Sequence, residues 1–408
     1  MAVSPVVSGI AYPTEVGTET RSNYFGGGIS LNGGYLSNLY AGSGTAPVND
    51  STFLIQPTIS LDQTTSRIHE SLNYAPAFTL YQPTSSLNQL NQSASVDFQY
   101  RLSPHVTLRA GDNFVDSSTV FNQPLTGSEG AISGSTPSTT PGVVVPFAQR
   151  LMNGVDTEVT WQLSRNGLVG GSGSQSELHF PNPTQAAGLY NSASWGGSAF
   201  YNLRLNRSQY VGGTFEYSRS TAQPFGLQSE VQTQSGMFFY TVYLTPTLTF
   251  SLSGGPQHYR ISEPPLPTIS AVTPAALASV AWQTLHTNLA ASYSRTVTAG
   301  AGLIGAFQSE SISLDGRWQM SRTWTGDLSG DYASNRTEAA SLSGGSPGGH
   351  TLSGTASLQH PIGTQFGLAF SYSRVHESYP GIGVIVSNPD SNRELASVYY
   401  RFSRPWGR

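Results

Sequence analysis

The 408-residue sequence contains no cysteine, which removes disulfide frameworks, thiolate metal sites and thiol nucleophiles together. Lysine is also absent, so all 19 basic residues are arginine. Either the source genome is biased, or guanidinium is favoured where a forked donor must meet phosphate. Charge is scarce: charged residues make up 10% of the chain, against about 25% in ordinary soluble domains. With a formal net charge of -4 and no basic cluster, nucleic acid is not an expected partner. No run of about 18 apolar residues occurs, which excludes a transmembrane helix but not transmembrane strands, whose apolar residues fall at every second position. The opening Met1-Ala-Val-Ser-Pro lacks the charged and apolar segments of a signal peptide, so the expectation is an exported, mature form carrying an added Met.

What is present is alternation. In the stretch 92–114, Ala94, Val96, Phe98, Tyr100 and Leu102 alternate with Ser93, Ser95, Asp97, Gln99 and Arg101. After Ser103-Pro-His, Val106, Leu108, Ala110 and Phe114 alternate with Thr107, Arg109, Gly111 and Asn113. Each arm has one apolar and one polar face, and its length of about 9 to 11 residues is what a tilted strand needs to cross a bilayer. The pattern recurs from Phe25 to Phe402, with one opening strand, a series of hairpins and one closing strand. The expected fold is all-β, an antiparallel up-and-down barrel of about 18 strands, with 16 as the nearest alternative. Turns inside hairpins are short and connections between hairpins long, so all short turns fall at one end. Residues 1–22 read as an N-terminal periplasmic or lumenal segment, 23–403 as the barrel and 404–408 as a tail. The stretch 118–150, rich in Gly, Ser, Thr and Pro, is a long loop and a candidate constriction, or a surface epitope if it lies outside. Pro57 removes a ladder donor, and Glu70 falls in the apolar phase, which asks for a bulge or an interfacial position.

This architecture resembles bacterial outer-membrane β-barrels of porin size, over roughly residues 23–403. The resemblance implies short periplasmic turns, long extracellular loops, and integral residence in the outer membrane of a Gram-negative envelope. It implies as partners outer-membrane lipid and lipopolysaccharide, small solutes and the barrel-assembly machinery, with a homo-oligomer, such as a trimer, as the assembly. Val398, Tyr400 and Phe402 match the apolar, aromatic-ended last strand of such proteins, although Ser403 to Arg408 follow.

Charge is sorted between the faces. Asp97, Arg101, Arg109, Asp156, Glu158, Arg204, Glu216, Asp315, Arg317, Asp327, Asp331 and Arg401 fall in the inward phase and are the pore-lining candidates. Same-strand neighbours, such as Asp97 with Arg101 or Asp315 with Arg317, read as mutually neutralising wall charges. Tyr100, Trp161, Tyr201, Trp282, Trp318, Trp324 and Phe402 lie in the outward phase beside short turns, where an aromatic girdle would sit. Tyr-Ser-Arg recurs at 217–219, 293–295 and 372–374, setting Arg219, Arg295 and Arg374 one step beyond an outward tyrosine. These arginines either meet lipid phosphates or are solvated above the bilayer. Inward Phe200, Tyr210, Phe239, Tyr243 and Tyr399 either form a sugar-stacking track or fill the lumen.

Chemistry finds little footing. Gly344-Gly-Ser-Pro-Gly348 fits G-x-S-x-G but lies in a Pro-Gly loop without the strand-turn-helix the motif needs, and the eight histidines show no ligand spacing. No enzyme activity, metal or cofactor is expected. The sequence reads as a channel for passive diffusion of small, mostly neutral or weakly charged solutes. A non-conducting scaffold, adhesin or envelope-lattice barrel is the alternative.

Overall fold

Regular alternation of β-branched and aromatic residues with Ser, Thr, Gly and Asn favours extended backbone and gives each strand two chemically different faces. The computed structural model describes residues 23–39, 48–82, 84–118, 148–182, 189–299, 305–338, 348–378 and 390–406. Segment 1–22, most of the stretch 118–150, residues 344–347 of the G-x-S-x-G match and the last two residues lie outside them.

The chain forms 18 strands. They are β1 Asn23–Ser37, β2 Asp50–Thr64, β3 Ile68–Gln82, β4 Gln89–Ser103, β5 Val106–Ser117, β6 Arg150–Gln162, β7 Gly167–His179, β8 Ser192–Arg204 and β9 Gln209–Ala222. The second half is β10 Ser229–Thr245, β11 Leu248–Ser262, β12 Ile269–Gln283, β13 Thr287–Ala299, β14 Ala306–Gln319, β15 Thr325–Thr337, β16 Gly348–Ile362, β17 Phe366–Ser378 and β18 Asp390–Pro405. Each pairs antiparallel with its neighbours in sequence, and β1 also pairs with β18, so one sheet closes on itself. Closure removes the free edges that lipid would not tolerate.

The connections alternate in length. Those inside the hairpins span two to five residues, and those between hairpins span six to 32. Both ends of the barrel chain lie at the short-turn rim, where the Trp406 amide donates to the Asn23 carbonyl at 3.0 Å. The sheet has no single apolar core. Its large apolar side chains, including Leu31, Phe53, Trp161, Phe215, Phe238, Leu314 and Phe370, are solvent-exposed on the outer face. Such a face is stable only in an apolar medium.

Strands run 12 to 17 residues, longer than the alternation suggested. Apolar alternation marks only the stretch facing hydrocarbon, and pairing continues beyond it with polar side chains on both faces. The last strand likewise extends past residue 403, with Arg404 opposite Phe25 and Pro405 opposite Tyr24. Pro57 does interrupt its ladder: β2 and β3 pair up to Ile55/Phe78 and again from Ile59/Tyr74. Glu70 needs no bulge, because pairing is continuous from Ile59/Tyr74 to Thr64/His69, with Glu70 opposite Gln63 close to the β2–β3 turn.

Candidate functional site

The candidate site is the inner wall. On β4–β6, Asp97, Gly111 and Asp156 share one row across the strands, and Gln99, Arg109 and Glu158 share another. Arg109 reaches across the hairpin to Asp97, donating from Nε at 3.0 Å and from a terminal nitrogen to the same oxygen. The Asp156 carboxylate lies over Gly111, where a Cβ would come within 2.6 Å of its Oδ1. Three carboxylates therefore surround Arg109, an excess of negative charge on this side of the lumen.

A second charged patch lies on β13–β16. Arg317 faces Asp327 across the β14–β15 ladder at 3.7 Å, and Asp327 also accepts from Ser357 and Gln359, each at 3.3 Å. Asp331 continues the same face, and Asp315, Arg317 and Asp327 line a shallow cavity of about 200 Å³ together with Asn288, Ser329 and Thr355. Both patches differ from the same-strand pairs read from sequence. The ion pairs form across the ladder, Arg317 with the directly opposite Asp327 and Arg109 with Asp97 on the diagonal, both positions that long side chains reach between paired strands.

Arg204 donates to the Asn206 carbonyl at 3.1 Å with its guanidinium carbon 5.8 Å from the Tyr210 ring centre. Arg401 stacks on Tyr399 at 4.2 Å, and Glu216 accepts from Ser235 at 3.5 Å. Arg101 faces Thr107 on the inner side of β4.

The inward aromatics lie against the wall. Phe200 covers Gly170, Phe239 covers Gly212 and Tyr399 covers Gly367, each so closely that a Cβ on the glycine would fall within 2.1 to 2.5 Å of the ring. Aromatic rings folded onto cross-strand glycines fill the sheet surface without crowding the lumen. Tyr210 and Tyr243 meet edge to face at 5.7 Å. This arrangement favours wall-filling over a stacking track. Much of the remaining inner face is Ser and Thr, tied in rungs such as Ser172–Ser198 at 2.7 Å, Thr241–Ser251 at 2.6 Å and Ser294–Ser311 at 2.6 Å.

On the outer face, Tyr100, Trp161, Tyr201, Trp282, Trp318 and Phe402 all stand near the short-turn rim. Trp324 closes the β14–β15 turn, with its ring 4.5 Å from that of His360. At the opposite rim each predicted arginine has a carboxylate partner on the next strand. Arg219 pairs with Glu230 at 2.6 Å, Arg295 with Glu310 at 3.6 Å and Arg374 with Asp390 at 3.4 Å, while Asp390 also takes His376 at 2.8 Å. Their acidic partners lie on strand extensions where the alternation has ended.

Two outward acids with apolar or aromatic neighbours on both sides escaped the sequence reading. Asp112 lies between Val96 and Val155, both exposed on the outer face, and Glu394 lies between Tyr35 and Tyr372. The register that places them among apolar neighbours is a property of paired strands, although the even-numbered phase of Asp112 within β5 was visible.

No family model and no curated protein matches the sequence. Solved structures resemble it in fold. OpdK of Pseudomonas aeruginosa, crystallised with vanillate, is 9% identical over 93% of this chain and 99% of its own, with a TM-score of 0.45. Acinetobacter baumannii OccAB4 is 10% identical over 95% of this chain and 99% of its own, with a TM-score of 0.46. The ferric citrate transporter FecA is 10% identical over 88% of this chain and 60% of its own, with a TM-score of 0.47. The closed sheet of 18 antiparallel strands, apolar outside and polar inside, defines the class on its own geometry. By that geometry the protein is a transmembrane β-barrel.

Proposed function

We propose that the protein is a passive outer-membrane channel for small, mostly neutral or weakly charged solutes. The observation that carries this reading is the chemistry of the inner wall: hydroxyl rungs, aromatics laid flat on glycines, and charges paired across strands. Barrels of 16 to 18 strands enclose an aqueous channel unless something fills it. Seven acids and five arginines are the inward candidates, so the wall carries a small negative excess and weakly favours cations. Solutes are selected by width and wall polarity, without covalent steps.

The same proposal assigns the girdle of Tyr100, Trp161, Tyr201, Trp282, Trp318, Trp324 and Phe402 to the periplasmic interface. Arg219, Arg295 and Arg374 are assigned to the outer-leaflet phosphates of lipopolysaccharide. A guanidinium has five N–H donors, so an arginine held by one carboxylate keeps donors for a phosphate.

Single-channel recording of the refolded protein in a planar bilayer under a salt gradient tests the central claim. A stable open level with a modest cation preference is expected, and Asp97→Asn with Asp156→Asn and Glu158→Gln reduces that preference. No conductance from a barrel whose heat-modifiable migration shows it folded would overturn the channel. For the lipid contact, Arg219→Gln, Arg295→Gln and Arg374→Gln together lower the lipopolysaccharide retained on purification; unchanged retention removes that assignment.

A further inference from the structure

The histidines have no ligand spacing along the chain, but the ladder brings two of them together. β16 and β17 pair with His350 opposite Ser378 and Leu352 opposite His376, so the two histidines are diagonal neighbours. Both share the phase of Leu352, Phe370 and Tyr372, which are exposed on the outer face. They lie beyond those residues, at the long-connection rim. Diagonal positions on one face are within reach of aromatic side chains. The two imidazole rings stand 5.8 Å apart, centre to centre, inclined at 41°. Tyr332, on β15, flanks His350 from the other side at 6.1 Å.

The third member is a carboxylate. Asp390 on β18 lies directly opposite His376, and its Oδ1 is 2.8 Å from His376 Nδ1. Its other oxygen accepts from Arg374 at 3.4 Å, so the carboxylate is itself held in place. An ionised carboxylate only accepts, which makes Nδ1 the donor. In the neutral imidazole the proton then sits on Nδ1, and Nε2 keeps a bare lone pair. Metal-ligating histidines are oriented in this way, by a carboxylate on the nitrogen that does not meet the ion. At nitrogen-to-ion distances of about 2.0–2.1 Å, two imidazoles sharing one ion have ring centres about 5–6 Å apart. The separation of His350 and His376 falls in that range, so the backbone already stands where such a pair of ligands needs it.

We propose that His350 and His376 form a binding site for a divalent transition-metal ion, Cu²⁺ ahead of Zn²⁺, with Asp390 as its positioning residue. The inference is independent of the channel reading, because the site is on the outer face and takes nothing from the lumen. Imidazole favours copper and zinc, whereas Mg²⁺ and Ca²⁺ prefer oxygen ligands, and copper binds a given nitrogen site more tightly than zinc does. The side chains of His376 and Asp390 are 31% and 47% exposed, so an ion reaches them from outside. No group of three or more His, Asp or Glu suited to a metal gathers among the described residues. The protein therefore supplies two ligands, and the ion's remaining positions are open to water or to an external ligand.

The test titrates the untagged full chain, folded in detergent micelles, with CuCl₂ in the presence of excess Mg²⁺, which occupies oxygen-rich sites. Electron paramagnetic resonance counts the nitrogens on the bound copper. One saturable Cu²⁺ per chain with two imidazole nitrogens is expected, and Zn²⁺ displaces it only when in excess. His350→Gln and His376→Gln each lose the two-nitrogen signature and most of the affinity, while His179→Gln, on another arc of the barrel, changes nothing. Asp390→Ala weakens binding by about tenfold or more and keeps both nitrogens, and Asp390→Asn, which still accepts from Nδ1, recovers most of the loss. Heat-modifiable migration checks that each variant is folded. The signature is read on the wild type as well, so a variant that fails to fold leaves the test intact. Absent or unsaturable copper binding, a wild-type spectrum with a single nitrogen, or binding unchanged in both histidine variants overturns the site.

Discussion

Individual side chains on this barrel are judged by the medium they face. Asp112 shares the outer surface with exposed Val96 and Val155, and hydrocarbon disfavours a carboxylate there, less than it does arginine or lysine. Asp112→Val is therefore expected to stabilise the barrel, by about 1–2 kcal/mol if the site lies at mid-bilayer depth. Urea titration in phospholipid vesicles measures it, and a loss of stability would mean that the carboxylate is matched by a neighbouring copy. Glu263 presents a different case, in the β11–β12 connection beyond the apolar band. Its Oε1 is buried without a hydrogen-bond partner, and burial pushes its carboxyl above the ordinary glutamate range. The folded state then binds a proton that the unfolded chain has released. Stability contributed there is present below the ordinary value and is lost as pH rises through the raised one. Glu263→Gln is expected to leave stability at pH 4 unchanged and to raise it at pH 8; equal effects at both would show that ionisation is not the cost.

Between residues and the barrel stand the strand pairs, where the sequence was partly legible. The hairpins, their turns and the inward or outward phase of nearly every strand follow from period-two alternation, because a one-residue slip would turn a whole apolar set inward. Strand ends did not follow, since alternation stops where hydrocarbon stops while hydrogen bonding continues. Ion-pair partners did not follow either: Asp97 takes Arg109, and Arg219 takes Glu230, through registers that only the folded ladder defines. Glycine positions gained meaning in the same way. A Cβ on Gly212 would stand 2.2 Å from the Tyr201 carbonyl and 2.5 Å from the Phe239 ring. Gly212→Val must therefore push the β8 backbone or swing Phe239 into the lumen. Overpacking of this kind costs about 1–3 kcal/mol. The urea midpoint is expected to fall, and any barrel that does fold should conduct less; wild-type values for both would mean that the wall yields more readily than its packing indicates.

At the scale of the whole molecule, the two sides of the wall are filled differently. Apolar bulk is nearly all outside, and the inner face holds hydroxyls, glycines with rings laid over them, and charge pairs that bind wall to wall. Composition alone hinted at this, since a chain that is 37% hydrophobic and 10% charged has too little charge to be an ordinary soluble surface and no apolar run to be a helical span. The two patches around Arg109 and Arg317 stand on different arcs of the barrel and carry the same sign of excess. If the lumen is continuous past both, removing one arginine deepens the local excess and draws cations without narrowing the path. Arg109→Gln is therefore expected to move the zero-current potential in a salt gradient further towards the cation limit while leaving conductance in concentrated salt nearly unchanged, because screening removes the field but not the space. A fall in conductance at high salt would instead identify Arg109 as a strut that keeps the β4–β6 wall from collapsing inward.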